Sequence, residues 1–250
     1  MAPIDDLLFR MDALLQPMRR TGDERQHFLA TYMRTTLAVK HEIERGAFVD
    51  GVWTERWDIA FADLYLDALE EWNAKGSAPG PWRIAFQAAN DTPRVPPLRH
   101  LLLGMNAHIN YDLPQALILV ITDQEFDDPA LVRRRSRDHE RIDAILSGRV
   151  AAEDAELRKM EQPGDRTLLD HLLTPFNRAG SKRFLKEARG KVWRNAQALS
   201  LARRDGLEQL GGRLRELEAL SAERVADLRR PGQVLLRLTR DGFGVLLPGA

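Results

Sequence analysis

Apolar positions recur at intervals of three and four along nearly the whole chain, the spacing that lines up one stripe on an α-helix. Ile4, Leu7, Leu8, Met11, Leu14 and Leu15 predict a short first helix that stops near Pro17. Phe28, Tyr32, Thr35, Thr36, Val39 and Ile43 predict a second, closed by Gly46 because glycine accepts a left-handed backbone. The strongest stripe is Trp57, Phe61, Leu64, Tyr65, Ala68, Leu69 and Trp72, with Thr54 and Asp58 near its start, where oxygen side chains satisfy free amides. Gly76-Ser-Ala-Pro-Gly-Pro81 breaks it. A short segment over 82–89 follows, and Pro93, Pro96 and Pro97 then force extended backbone before another helix opens.

That helix runs over 98–111 and leads through Asp112-Leu-Pro114 into the apolar run 116–121. Residues 133–146 read as a charged helix with Ile142, Ile145 and Leu146 inward, and 148–164 as a polar connection holding one short helix. From 182 to 229 nearly every residue favours helix, with Gly190, Gly206 and Gly211-Gly212 as bends or breaks, so two or three helices fit. Around Asp241-Gly242, residues 234–239 and 243–247 carry a hairpin signal, although Leu235, Leu236 and Leu238 also suit a final helical turn. The pattern predicts an all-α fold of eight to ten helices in a single domain over 1–250, with sheet confined to a short C-terminal hairpin.

At 250 residues, 44% hydrophobic and 30% charged, the chain is long and apolar enough to bury a real core. Lys plus Arg equals Asp plus Glu at 37 each, so no bulk field draws it to nucleic acid or an anionic membrane. The absence of cysteine removes disulfides, thiolate metal sites and a cysteine nucleophile, and suits a reducing compartment. Acids stand where a signal peptide carries positive charge, and the longest apolar run, 116–121, is far short of the roughly 20 residues of a spanning helix. A cytoplasmic protein with no membrane span is expected.

The segment that carries chemistry is Gly104-Met-Asn-Ala-His-Ile-Asn-Tyr-Asp112. On a helix, His100, Gly104, His108 and Asp112 share a face and Asn106 and Asn110 a second one, amid Leu101, Leu102, Leu103, Met105, Ile109 and Leu113. Polar side chains in so apolar a helix need partners or a wet cavity, because burying them bare costs several kcal/mol. Gly104 points the same way: glycine inside a helix costs about 1 kcal/mol against alanine, and suits a spot where a helix or a ligand approaches the backbone.

Through Gly104 to Pro114 the sequence closely resembles an uncharacterised, mainly bacterial, family known only as a domain of unknown function. The resemblance covers most of the chain. Trp57-Asp58 to Phe61-Ala62 and Tyr65 resemble its upstream helix, and Trp82 the tryptophan before its proline loop. Arg137-Asp138 resembles its middle acidic helix, with His139 and Asp143 departing from the usual residues there, and Arg189, Trp193 and Ala196 resemble its late helix. It implies an all-helical fold and a convergence of Asp58, Tyr65, Asn106, His108, Asn110, Asp112, Asp138, Arg189 and Trp193, with no established activity to carry over.

Three readings of the segment stay open. His108 and Asp112, one helical step apart, can both point at a divalent metal, with Asp58 or Asp138 completing the set, although no established metal motif is present. Without metal, His108 serves as general acid or base, Asp112 or Asp138 orients it, and Asn106 or Asn110 holds a developing oxyanion. That chemistry suits a hydrolase, lyase or cyclase acting on a small, partly apolar molecule, with Asp58, Tyr65, Asp138, Arg189 and Trp193 about the substrate. The third reading is a non-catalytic ligand-binding or interaction module in which the polar helix is a hydrogen-bonded scaffold. Phosphate-cradling glycine loops and a serine-nucleophile turn are absent from the sequence. The run Arg133-Arg-Arg-Ser-Arg137 reads as a solvated helix face, Trp57 as core, and His27, His41 and His171 as surface residues.

Overall fold

The computed structural model describes residues 3–91, 95–142, 145, 168–230, 237, 240 and 242–250, with 98 and 168–185 described by backbone alone. Two helices packed on each other open the chain, α1 (Pro3–Thr21) and α2 (Gln26–Glu44). Helix α1 runs past Pro17, because the proline faces solvent while the apolar stripe continues to buried Met18. Helix α2 ends where expected, at Gly46 with φ 67°. Helix α3 (Gly51–Lys75) starts earlier than its stripe suggests, since Asp50 rather than Thr54 caps it by accepting the amide of Trp53, and Gly76 closes it in the left-handed conformation. Helix α4 (Gly80–Gln87) follows, with proline in its first turn.

A central helical run comes next: α5 (Pro97–Ala107), a π-helical turn (His108–Asp112) and α6 (Leu113–Val120). It packs against α2, α3, α4 and the two late helices. Helix α7 (Asp123–Phe126) is held by a capping box between Thr122 and Glu125, and α8 covers 129–142. The last two helices are α9 (Leu168–Asp205) and α10 (Leu207–Arg229). They divide only at Gly206, with φ 124°; Gly190 and Gly211-Gly212 lie inside helices, where burial of Val192, Leu199, Leu217 and Val225 outweighs the cost of glycine.

Among the described residues the structure is helical, with no strand and no helix long and apolar enough to cross a membrane. Of the hairpin, 231–236, 238, 239 and 241 lie outside the described residues. Residues 243–247 form neither helix nor strand and are bonded by side chains instead of a second strand. The connection 148–164 and Asp143 also lie outside them.

Two apolar clusters form the interior. One joins α1, α2, the C-terminal half of α3, α4, α5 and Phe243; the other joins the start of α3, α6, α9, Val245 and Leu247. Ile109 and Tyr111 pack against both, so the π-turn sits at the seam between them.

Candidate functional site

Pro114 explains the π-turn. Proline has no N–H, and in an α-helix its ring would press on the carbonyl four residues back, that of Asn110. The helix widens there, and the amide of Leu113 reaches back five residues to the carbonyl of His108. The widened turn still brings the expected pair together, with His108 Nδ1 2.8 Å from Asp112 Oδ2, both side chains buried.

The same carboxyl oxygen accepts the indole N–H of Trp82 at 2.9 Å. An indole can only donate, so Oδ2 is an acceptor toward Trp82, and a proton on His108 Nδ1 makes it the acceptor of both bonds. This tautomer, assigned from the bonding pattern, leaves Nε2 bare, and Nε2 is a buried atom with no hydrogen-bond partner. Burial pushes His108 well below the ordinary histidine range and Asp112 well above the ordinary carboxylate range, the bond from Trp82 offsetting part of the second shift. The histidine of the pair therefore rests neutral.

An aromatic cage surrounds the imidazole. Phe61 stacks on it, Tyr32 meets it edge-on at 4.6 Å between centroids, and Phe28, Tyr65 and Trp82 close the remaining sides near 6 Å. Gly104 lets Phe28 in: a Cβ at this glycine would overlap the Phe28 ring, so the close-approaching object foreseen there is α2. Two more buried polar atoms are unpartnered nearby, the Tyr32 hydroxyl and Asp58 Oδ2. The two groups are electrostatically coupled, since Asp58 and then Asp112 add to the burial that raises Tyr32. Burial lifts Asp58 to about 7, so its carboxyl keeps a proton well above the ordinary carboxylate range.

The other expected site residues separate into three groups. Tyr65 joins the cage, packed on Trp82 and Phe28. Asn106 and Asn110 turn to the C-terminal segment, both donating to the carbonyl of Phe243 at 3.0 Å. Asp138 accepts the amides of Val49 and Asp50 at 2.7 and 2.9 Å, tying α8 to the turn before α3. Trp193 donates to His139 Nδ1 at 2.9 Å in a neighbouring cluster with Trp57 and, electrostatically, Arg189, joined to the cage through the stacking of Trp57 on Phe61. Burial and then Arg189 hold His139 down at about 3. The structure thus gathers His108, Asp112, Asp58 and Tyr65, while Asn106, Asn110, Asp138, Arg189 and Trp193 serve other contacts.

Sequence reasoning missed Phe61 and Tyr32 as site neighbours, although both stand on predicted stripes, and it met Trp82 only through a resemblance. His27 is not at the surface: the turn before α2 folds Glu24 over it, with Nε2 3.1 Å from Glu24 Oε2 and its ring stacked on His100. His41 is exposed as expected, and the side chain of His171 lies outside the described residues. Of the basic run, Arg133, Arg134 and Arg137 are exposed, but Arg135 is buried over Trp53 and 2.6 Å from Asp50. Trp57 is core, stacked between Trp53 and Phe61.

Two surface concavities, of about 510 and 260 Å³, lie elsewhere: one between α3, α6 and α7, the other beside Trp72, and neither is lined by His108 or Asp112. Among the described residues no three His, Asp or Glu side chains group as a metal set, and the facing atoms of His108 and Asp112 are bonded to each other. Nε2 is left as the ring atom able to take an outside partner.

A family model described as a family of unknown function, DUF5995, matches residues 4–231, a span that includes the whole central run and stops short of the C-terminal segment. No curated protein and no solved structure matches the chain.

Proposed function

Because the chain belongs to the DUF5995 family, whose description names no reaction, function has to be read from the site, and we propose that this is a small-molecule enzyme working through the His108–Asp112 dyad. One observation carries the reading: Nε2 of His108 is buried without a partner while the opposite nitrogen is fixed by Asp112. A buried ring nitrogen with no hydrogen-bond partner costs on the order of 1–3 kcal/mol, and such a cost is retained where the atom has work to do. Neutral and oriented, His108 accepts a proton from a bound molecule, and Asp112, which burial alone keeps uncharged, ionises only as the counter-charge to the imidazolium that forms. The unpartnered hydroxyl of Tyr32 and, in its protonated form, the carboxyl of Asp58 supply donors for an oxygen of that molecule. The cage selects a small, partly apolar substrate, and the chemistry is of hydrolase, lyase or cyclase type. Since His108 is only 4% exposed, entry requires the rings above it to part.

The scaffold reading has its own observation, the engagement of both Asn106 and Asn110 by the C-terminal backbone. The two halves of the motif then divide the labour, with the amide face building structure and the dyad face serving the ligand.

Incubating the purified protein with a cell metabolite extract, and following depletion by mass spectrometry, tests the proposal. A metabolite consumed by the wild type and at least about 100-fold more slowly by His108→Gln, with the variant still folded, supports it. If the wild type changes nothing and His108→Gln and Asp112→Asn lower only the melting temperature, the dyad is a buried polar scaffold.

A further inference from the structure

The C-terminal segment is held in a manner unlike the rest of the chain. Phe243, Val245 and Leu247 point alternately into the core, as in a strand, yet no strand lies beside them among the described residues. Side chains replace it. Asn110 donates to the carbonyl of Phe243 and accepts the amide of Val245, each at 3.0 Å. Asn195 repeats the pattern two residues on, donating to the carbonyl of Val245 at 3.1 Å and accepting the amide of Leu247 at 2.9 Å. Each amide pairs with residues two apart, as an adjacent strand would.

Further bonds complete the register. Asn106 adds a second donor to Phe243, Glu187 accepts the amides of Phe243 and Gly244, Lys191 donates to the carbonyl of Gly244 at 2.9 Å, and Arg213 donates to that of Pro248 at 2.8 Å. All three asparagines are essentially inaccessible to solvent, so their amides would be costly to bury without this segment. Only the backbone is read by these bonds; the side-chain requirement is steric. At Gly244 an added Cβ would lie 2.9 Å from the backbone of Ala188 on α9, so any side chain here forces α9 or the segment to shift, while the three alternate positions hold apolar side chains in the core.

We propose that the cleft between the central helical run, α9 and α10 is a receptor for an extended peptide, and that residues 242–248 are its built-in ligand, recognised as Phe-Gly-Val-x-Leu. Main-chain bonds supply the affinity and alternate pockets the specificity, the logic of adding a strand to a sheet edge transferred to a helical surface. Every clamping side chain lies within the family match and the ligand segment lies beyond it, so receptor and ligand are separable in sequence as well as in bonding. The inference is independent of the chemistry at His108.

The test uses the full chain with a specific protease site placed within 231–241 and cut after folding, in native form and with Gly244→Val. The native segment is expected to co-elute with the body, and the segment carrying Gly244→Val to separate from a body that keeps its helical circular dichroism. That vacated body should take up a fluorescent peptide of residues 242–250 saturably, and the Gly244→Val version of the peptide at least about tenfold more weakly. The proposal is overturned if the Gly244→Val segment co-elutes like the native one, or if the two peptides bind alike. It also fails if the peptide does not bind at millimolar concentration, or if release unfolds the body.

Discussion

Phe61 lies flat on the imidazole of His108, ring centroids 3.5 Å apart and planes within 6°. An apolar ring on that face denies water to an imidazolium, so His108 should be neutral at pH 7, protonated on Nδ1 and bare on Nε2. Long-range nitrogen–proton correlation spectra should show this tautomer, with no titration as pH falls through the ordinary histidine value of about 6.5. Phe61→Ala should admit water and move the titration up toward that value. A wild-type His108 that titrates normally would remove the argument for a poised base.

Asp58 gives a pH-dependent stability of defined sign. Its folded pKa is about 7 against an ordinary 3.8, so the folded state holds the proton more tightly than the unfolded one. The stability it contributes is whole below 3.8 and is lost as pH rises to about 7, beyond which the penalty is constant. Asp58→Asn cannot ionise and should abolish that slope. The wild type should lose ground to the variant between about pH 4 and 7, by at most about 4 kcal/mol, as measured by urea unfolding across pH.

Gly104→Ala should destabilise the protein despite alanine's better helix propensity, because the new methyl enters the Phe28 ring. Overpacking costs about 1–3 kcal/mol against roughly 1 kcal/mol gained in propensity. Phe28→Leu in the same chain should recover part of the loss. Thermal unfolding of the single and double variants is the check; a stabilised single variant would show that the contact yields freely.

Asp138→Asn should loosen the turn before α3 without touching the dyad. The amide group keeps one acceptor where Val49 and Asp50 need two, so about 1.5–3 kcal/mol is lost, or a melting temperature lower by roughly 3–12 °C. Hydrogen exchange at Val49 and Asp50 should quicken. An unchanged melting temperature with impaired ligand binding would return Asp138 to the site.

Much of the fold was legible because a helix is a local object. The stripes on α2 and α3, the stops at Gly46 and Gly76 and the opening at Pro97 all follow from which residues fall on one face and which accept a helix end. Errors came where burial outweighed a local breaker, as at Pro17, Gly190 and Gly211-Gly212. The polar half of the central helix was visible as an anomaly, and the His108–Asp112 pair followed from spacing alone.

The partners were decided in three dimensions. Spacing placed Asn106 and Asn110 beside His108, but nothing local says that an amide will meet the carbonyl of Phe243, more than 130 positions away, rather than a ligand. The same holds for Trp82 on Asp112, Phe61 on His108 and Asp138 at the turn before α3. By itself the sequence determined which segments coil and which side chains must be satisfied once buried, since propensity, periodicity and desolvation act residue by residue. Only the tertiary structure decided what satisfies each of them, because a hydrogen bond forms with whatever group the packing of distant apolar faces brings within about 3 Å.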